Sequence, residues 1–267
     1  MNCPRKSLTL YDNYSDMTSW TQRTELLIGE SGMDALQQAA VLIVGLGGVG
    51  GMAAEMICRA GIGKMTIVDH DTINSTNLNR QILASVNTIS RYKADVMAER
   101  LLQINPDLKL KTFNQWAEVS NIEELLETEK YDFVVDAIDT VTPKVYLIKS
   151  CMERGINIIS SMGSGGRMDP SKVRITDISR THTCPLAKAV RQRLSKMGIT
   201  KGLSVVFSDE LPNKKAVLTV EDEKYKKSTV GTISYMPAIF GCMMASHVIR
   251  EIISKSQFQD NFNKTLE

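Results

Sequence analysis

Short apolar runs alternate with stretches of helical period through the first two thirds of the chain. Val41-Leu42-Ile43-Val44 is a β-branched run of the kind buried on both faces of a sheet. Gly45-Leu46-Gly47-Gly48-Val49-Gly50 follows, then a helical pattern from Met52 to Ala60 that Gly61-Ile62-Gly63 stops. Lys64 to Asp69 predicts a second strand, and a helix over 18–40 precedes the first. The same alternation predicts helices over 90–104, 121–127 and 142–154, interleaved with strands over 108–114, 131–136 and 156–160. Strands that are apolar throughout, each followed by a helix, predict an α/β, Rossmann-like fold whose mainly parallel sheet carries helices on both faces.

After residue 162 the pattern changes. Lys172 to Asp177 alternates as a strand, Pro185 to Met197 reads as a basic helix, and 203–207 and 231–235 read as strands. A helix over 237–254 closes the fold. These late strands are expected to extend the sheet in mixed and antiparallel directions, with 209–230 as a mobile polar loop. The expected organisation is a flexible N-terminal arm over 1–17, a single domain over 18–254 and a tail over 255–267. Within the domain, a nucleotide-binding core spans about 40–162 and a basic elaboration about 163–254.

Composition excludes several classes. Hydrophobic residues make up 43% and charged residues 23% of 267, which supports a packed core and argues against disorder. Five scattered cysteines with no C-x-x-C pair suggest neither a disulfide framework nor a thiolate zinc site, so a reducing cytoplasm is expected and zinc is not. Met1 to Asp16 lacks the apolar centre of a signal peptide. The 22 residues Ser228–Ile249 carry no charge, but Pro237, Gly241, Ser246 and His247 favour a buried strand and helix over a membrane span. Net charge is only +2, yet between Asp177 and Asp209 six basic residues stand with no acid among them. Such a lobe suits an anionic macromolecule, with Lys188, Arg191 and Lys196 at a spacing that lets them share a helix face.

Gly45, Gly47 and Gly50 fit G-x-G-x-x-G between a strand and a helix, and Asp69 ends the next strand 19 residues past Gly50. Glycines let backbone approach a phosphate at a helix N-terminus, and a carboxylate at that position accepts from ribose hydroxyls. The motif alone leaves the nucleotide open. Arg80 and Lys93 add cations that a triphosphate needs and a dinucleotide does not, and Asp139, expected at the end of a strand through Ile138, is a natural Mg²⁺ ligand beside phosphates. A Walker A loop is excluded, because Met65 follows Gly63-Lys64 and Cys58 stands where its first glycine belongs.

Gly45-x-Gly47-Gly48-x-Gly50, Asp69-x-Asp71, Asn77-x-x-Arg80-Gln81, Lys93 and Asp136-x-x-Asp139 together resemble the ThiF-type adenylating enzymes related to ubiquitin activators. Gly163 to Pro170, Asp177-Ile178-Ser179, Pro185-Leu186-Ala187 and Gly231 to Gly241 resemble, within that group, the tRNA threonylcarbamoyladenosine dehydratases. The resemblance implies an ATP site of Gly45, Gly47, Gly48, Gly50, Asp69, Asp71, Asn77, Arg80, Gln81 and Lys93, with Lys93 near the α-phosphate and Asp139 on Mg²⁺. It further implies a homodimer in which Arg23 reaches the partner's phosphates, and ATP-dependent ring closure on threonylcarbamoyl-tRNA through an acyl adenylate. Cys184 stands where some relatives place a working cysteine. Adenylation of a ubiquitin-like sulfur carrier, with a sulfur-transfer protein as partner, stays open, as do a nicotinamide oxidoreductase and a non-catalytic nucleotide scaffold.

Overall fold

A computed structural model describes residues 19–219 and 228–266. The expected arm over 1–17 lies outside them. Seven strands form one sheet: β1 (Ala40–Val44), β2 (Lys64–Val68), β3 (Lys109–Phe113), β4 (Phe133–Asp136), β5 (Asn157–Ser161), β6 (Val173–Asp177) and β7 (Ser204–Ser208). Their order is β3-β2-β1-β4-β5-β7-β6, parallel throughout except for β6, which runs antiparallel to β7 at the edge. The chain reverses its direction of travel across the sheet between β1 and β4, so the crevice opens beyond their carboxyl ends.

Strand alternation builds the two layers. Val41 and Ile43 of β1 face one cluster, while Ala40, Leu42 and Val44 face the other, and all five are buried. The first face is covered by α1 (Gln22–Gln38), α2 (Gly50–Arg59), α3 (Lys93–Ile104) and α7 (Tyr235–Leu266), the second by α4 (Ile122–Glu127), α5 (Val141–Glu153) and α6 (Pro185–Lys196). Tyr235–Ser254 is long and apolar enough to cross a membrane, but half of it is buried, with Met236, Phe240, Met244 and Val248 in the core.

Four expectations need correction. The helix over 18–40 is broken at Gly29, whose φ of 74° and ψ of 172° are not helical. The loop over 209–230 carries structure: β8 (Val217–Thr219) pairs with β9 (Ser228–Val230) as a separate antiparallel hairpin, while 220–227 lie outside the described residues. The strand read at 231–235 is a connection, because Gly231 bonds back to Ala216 and Gly166 and the helix begins at Tyr235. Finally, the backbone of α7 continues to Leu266, through the expected tail.

Candidate active site

The glycine loop closes directly onto β4. Gly45 has φ of +90°, and a Cβ there would lie 2.8 Å from the Ala137 carbonyl oxygen. On Gly50 a Cβ would meet the Gly45 oxygen at 1.8 Å, so no side chain fits at the first turn of α2. Gly48 is backed by Pro237 of α7 and the Arg80 carbonyl, whereas Gly47 faces open space bounded only by the Gln81 amide. Gly47 is therefore where this loop offers backbone to a ligand.

Asp69 sits just past β2 with both carboxylate oxygens held: one accepts the Leu46 N–H at 2.6 Å and the other the Asp71 N–H at 2.8 Å. Burial pushes its carboxyl above the usual range, against the opposing pull of Lys93 and those two N–H groups. Each oxygen keeps a second lone pair for a ligand hydroxyl. Asp71 is shared between the buried Lys93, whose Nζ lies 2.5 Å from one oxygen, and His70, whose Nε2 lies 2.6 Å from the other. Burial pushes the His70 imidazole down despite Asp71, and its ring stacks on Trp116.

Asn74 caps the 3₁₀ turn Ser75–Asn77, and Asn77 Oδ1 accepts the Asn74 N–H in return at 3.0 Å. That reciprocal pair sets the path of 78–81. Gln81 follows, buried, with Oε1 lacking any partner among the described residues. Arg80 is half-buried on this turn, and its guanidinium donates to the Thr76 carbonyl and to Asn79 Oδ1, each at 2.9 Å. Burial pulls its pKa down and the Asp139 carboxylate opposes this. Asp139 is not the end of β4, which stops at Asp136. It lies exposed on the loop toward α5, because Asp136 Oδ1 accepts the Ile138 N–H at 3.1 Å and turns the chain.

One cleft of about 1610 Å³ is lined by three of these groups, Arg80, Trp116 and Asp139. Val49, Arg80, Trp116, Ala137–Asp139, Ser164, Arg167, Cys184, Arg193 and Lys214 are among the residues that line it. It exceeds the roughly 300–1,000 Å³ of ordinary small-molecule sites. Four cations and the two carboxylates Glu118 and Asp139 line it, so it favours anionic contents.

The chain matches the ThiF family over residues 21–266. The chain belongs to the ThiF family. Among relatives, it is 37% identical over 238 residues to the tRNA threonylcarbamoyladenosine dehydratase of Bacillus subtilis, covering 86% of this chain and 93% of that protein. The corresponding Escherichia coli enzyme is 35% identical over 261 residues, covering 90% and 97%. A crystal structure of the E. coli enzyme, TcdA, in complex with ATP superposes with a TM-score of 0.82 at 34% identity, covering 91% of this chain and 98% of that one.

Against this ThiF-family frame, the expected site residues fall into three groups. The glycine loop, Asp69, Asp71, Asn77, Gln81 and Lys93 gather at the carboxyl ends of β1 and β2, and Arg80 and Asp139 both line the cleft. Arg23 does not join them. It is exposed on the first turn of α1, without a partner among the described residues and away from its own chain's cleft. On α6, Lys188 and Lys196 are exposed, but Arg191 donates to the Thr181 carbonyl at 2.7 Å, so the three do not form one free face. Residues 188 and 191 already diverge from 196 by up to about 140° around the helix.

Cys184 is buried at the N-cap of α6 and lines the cleft, following Thr183 at φ 55°. The described cysteines Cys58, Cys151, Cys184 and Cys242 are all free. Among the described residues, the only cluster with metal-ligand spacing is Asp69-His70-Asp71, which excludes Asp139. Sequence reasoning passed over Lys144, Trp116, Glu118 and Arg167. Of these only Arg167 carried a signal, its place directly after Gly163-Ser164-Gly165-Gly166.

Proposed function

We propose that the protein is a tRNA threonylcarbamoyladenosine dehydratase that uses ATP to cyclise the modified base. The observation that carries this reading is its near full-length likeness to two enzymes of that name. The geometry agrees, since one continuous cleft has room for a nucleotide and for an acyl substrate beside it. Asp69 would accept the ribose hydroxyls. Asn77, Gln81, Arg80 and Lys93 would hold the triphosphate, and Gln81 Oε1, an acceptor, would take a bound water or its amide would turn its N–H₂ to phosphate. For a metal the donor set fits Mg²⁺, which takes one or two carboxylates plus phosphate oxygens. Asp139 would hold that ion, which neutralises phosphate charge.

The chemistry balances without an enzyme nucleophile. An oxygen of the threonyl carboxylate bonds to the α-phosphorus and pyrophosphate leaves. The neighbouring carbamoyl group then bonds to the activated carbonyl carbon, loses its N–H proton to water, and expels AMP. Proximity favours this ring closure, so the protein's work is positioning and charge neutralisation. No sulfur enters the balance, so a sulfur-transfer partner would act outside the chemical step.

Arg23 supports a homodimer. It is exposed beside Leu26 and Leu27, themselves 83% and 85% exposed, an apolar pair suited to a subunit contact. We infer a cytoplasmic location from a tRNA substrate and the use of ATP. Incubation with ATP, Mg²⁺ and threonylcarbamoyl-tRNA, followed by nucleoside mass analysis, tests the reading. Loss of the mass of one water is the expected result, and an unchanged nucleoside with intact ATP overturns it.

A further inference from the structure

Asn79 joins two parts of the chain that lie 153 residues apart in sequence. Its Nδ2 donates to the Thr232 carbonyl at 2.9 Å, and its Oδ1 accepts from Arg80 Nη1 at 2.9 Å. The partners fix which end of the amide is which, because a carbonyl needs the N–H₂ and a guanidinium needs the oxygen. Arg80 and Thr232 line the cleft, whereas Asn79 does not. Asn79 therefore holds two cleft residues without lining the cleft itself.

The anchor at Thr232 is firm. Its hydroxyl donates to the Val230 carbonyl at 3.0 Å. The neighbouring Gly231 donates to the Ala216 carbonyl at 2.7 Å and accepts the Gly166 N–H at 2.8 Å. At the other end, Arg80 Nη1 donates to Asn79 and to the Thr76 carbonyl, so both of its hydrogens are taken. Nε and Nη2 have no partner among the described residues. They form one edge of the guanidinium, whose parallel N–H groups match two oxygens of a phosphate.

An arginine side chain is long and rich in rotamers, so ordering it on binding is costly. Held at Nη1 by two acceptors, the guanidinium is oriented before a phosphate arrives. Thr76 supplies one point of attachment from the same turn. Asn79 supplies the second and ties it to the loop after β9.

We infer that Asn79 is a positioning residue, which sets the Arg80 guanidinium to receive the phosphates of ATP and uses the Thr232 carbonyl as its anchor; this rests on the reading of Arg80 as a triphosphate contact. A merely structural Asn79 would staple the 78–81 turn to the loop after β9 and act the same whether or not Arg80 is present.

The experiment measures pyrophosphate release in a single turnover, with saturating ATP, Mg²⁺ and threonylcarbamoyl-tRNA, in wild type, Asn79→Ala, Arg80→Ala and the double variant. Asn79→Ala should slow release roughly tenfold, as for a lost hydrogen bond to a charged group. In the Arg80→Ala background the same change should slow it by less than about twofold, because the group being positioned is gone. Asn79→Asp keeps an acceptor, loses the donor to Thr232 and adds a charge that competes with phosphate for Arg80. It should therefore slow release more than Asn79→Ala does.

Equal fold losses in the two backgrounds overturn the inference, since Asn79 would then act through the loop. So does Asn79→Ala within about twofold of wild type, or Asn79→Asp no slower than Asn79→Ala. Asn79 is exposed, so the variants should fold, which circular dichroism checks. If Asn79→Ala does not fold, Asn79→Ser, too short to reach both partners, takes its place in the cycle. Wild type that releases no pyrophosphate overturns the functional reading. Arg80→Ala at the wild-type rate overturns the role of Arg80 and this inference with it, and both results are visible before Asn79 is changed.

Discussion

Lys144 Nζ lies 2.7 Å from Asp136 Oδ2, and both side chains are fully buried at the carboxyl end of β4. The lysine's three donors are all placed, the others going to Ser160 Oγ at 3.1 Å and the Ser161 carbonyl at 3.0 Å. The pair ties β4 to β5 beneath the cleft, and the second Asp136 oxygen sets the turn that carries Asp139. Lys144→Met should strand the aspartate charge and cost about 3–5 kcal/mol in a denaturant titration. Replacing both partners, with Asp136→Leu and Lys144→Met, should restore much of that stability but not activity, because the turn loses its acceptor. Equal stability of the single and double variants would contradict this account.

Arg80→Ala and Asp139→Ala should each abolish turnover and leave the fold intact, since neither side chain belongs to the core. Contacts to developing phosphate charge are each worth about 3–4 kcal/mol, or roughly 10²–10³ in rate. Single-turnover dehydration measures the loss, and circular dichroism checks the fold. Activity within about threefold of wild type would remove either residue from the site.

Glu55 offers the clearest pH test. Burial in α2 raises its pKa, but hydrogen bonds from Arg100 of α3 and Arg59 outweigh burial and hold the carboxyl below the usual glutamate range. A folded-state pKa that is depressed stabilises the protein above the unfolded value and loses that contribution as pH falls through the folded one. Glu55→Gln should therefore cost about 1–2 kcal/mol at pH 7, the arginines being partly exposed. The gap from wild type should close on acidification below the ordinary glutamate range. A gap constant with pH would assign Glu55 to packing.

The centre of the sheet was legible because β1, β2 and β4 are buried on both faces, as strands of a doubly covered parallel sheet are. The glycine loop was legible because spacing and flanking elements agreed. What failed was tertiary. Gly231 to Tyr235 has strand-like composition, but its backbone is claimed by Ala216 and Gly166, which no local pattern reveals. Arg191 read as free because its acceptor, Thr181, lies on another turn. Lys144 was invisible because a lysine in a helix reads as surface, and only the fold places Asp136 and Ser160 around it.

The assembly can be tested by complementation. If Arg23 serves the partner's cleft, Arg23→Ala and Asp139→Ala homodimers are both inactive. A mixed dimer then regains one complete site, since the Arg23→Ala chain keeps its own Asp139 and receives Arg23 from its partner. Random exchange should restore about one quarter of wild-type activity. Absence of rescue after demonstrated exchange would confine Arg23 to its own chain or to no role.

The basic helix α6 is the remaining candidate for tRNA contact. The residues 187, 190 and 194 face the core, which leaves Lys188 and Lys196 exposed to solvent. Arg191 is committed to Thr181 and Arg193 to Thr142 Oγ1 at 2.6 Å at the cleft wall, so changing either would disturb structure as well as charge. The informative variant is therefore the double reversal Lys188→Glu and Lys196→Glu. Each phosphate contact releases counterions, and its loss should lower the log–log salt slope by roughly 0.7–0.9. Two lost contacts should flatten the slope by about 1.5 and weaken binding at low salt most, with ATP affinity unchanged. Stability should hold, because neither lysine has a partner among the described residues. Binding equal to wild type across several salt concentrations would move the footprint to the exposed Lys214 and Lys215, the first of which lines the cleft.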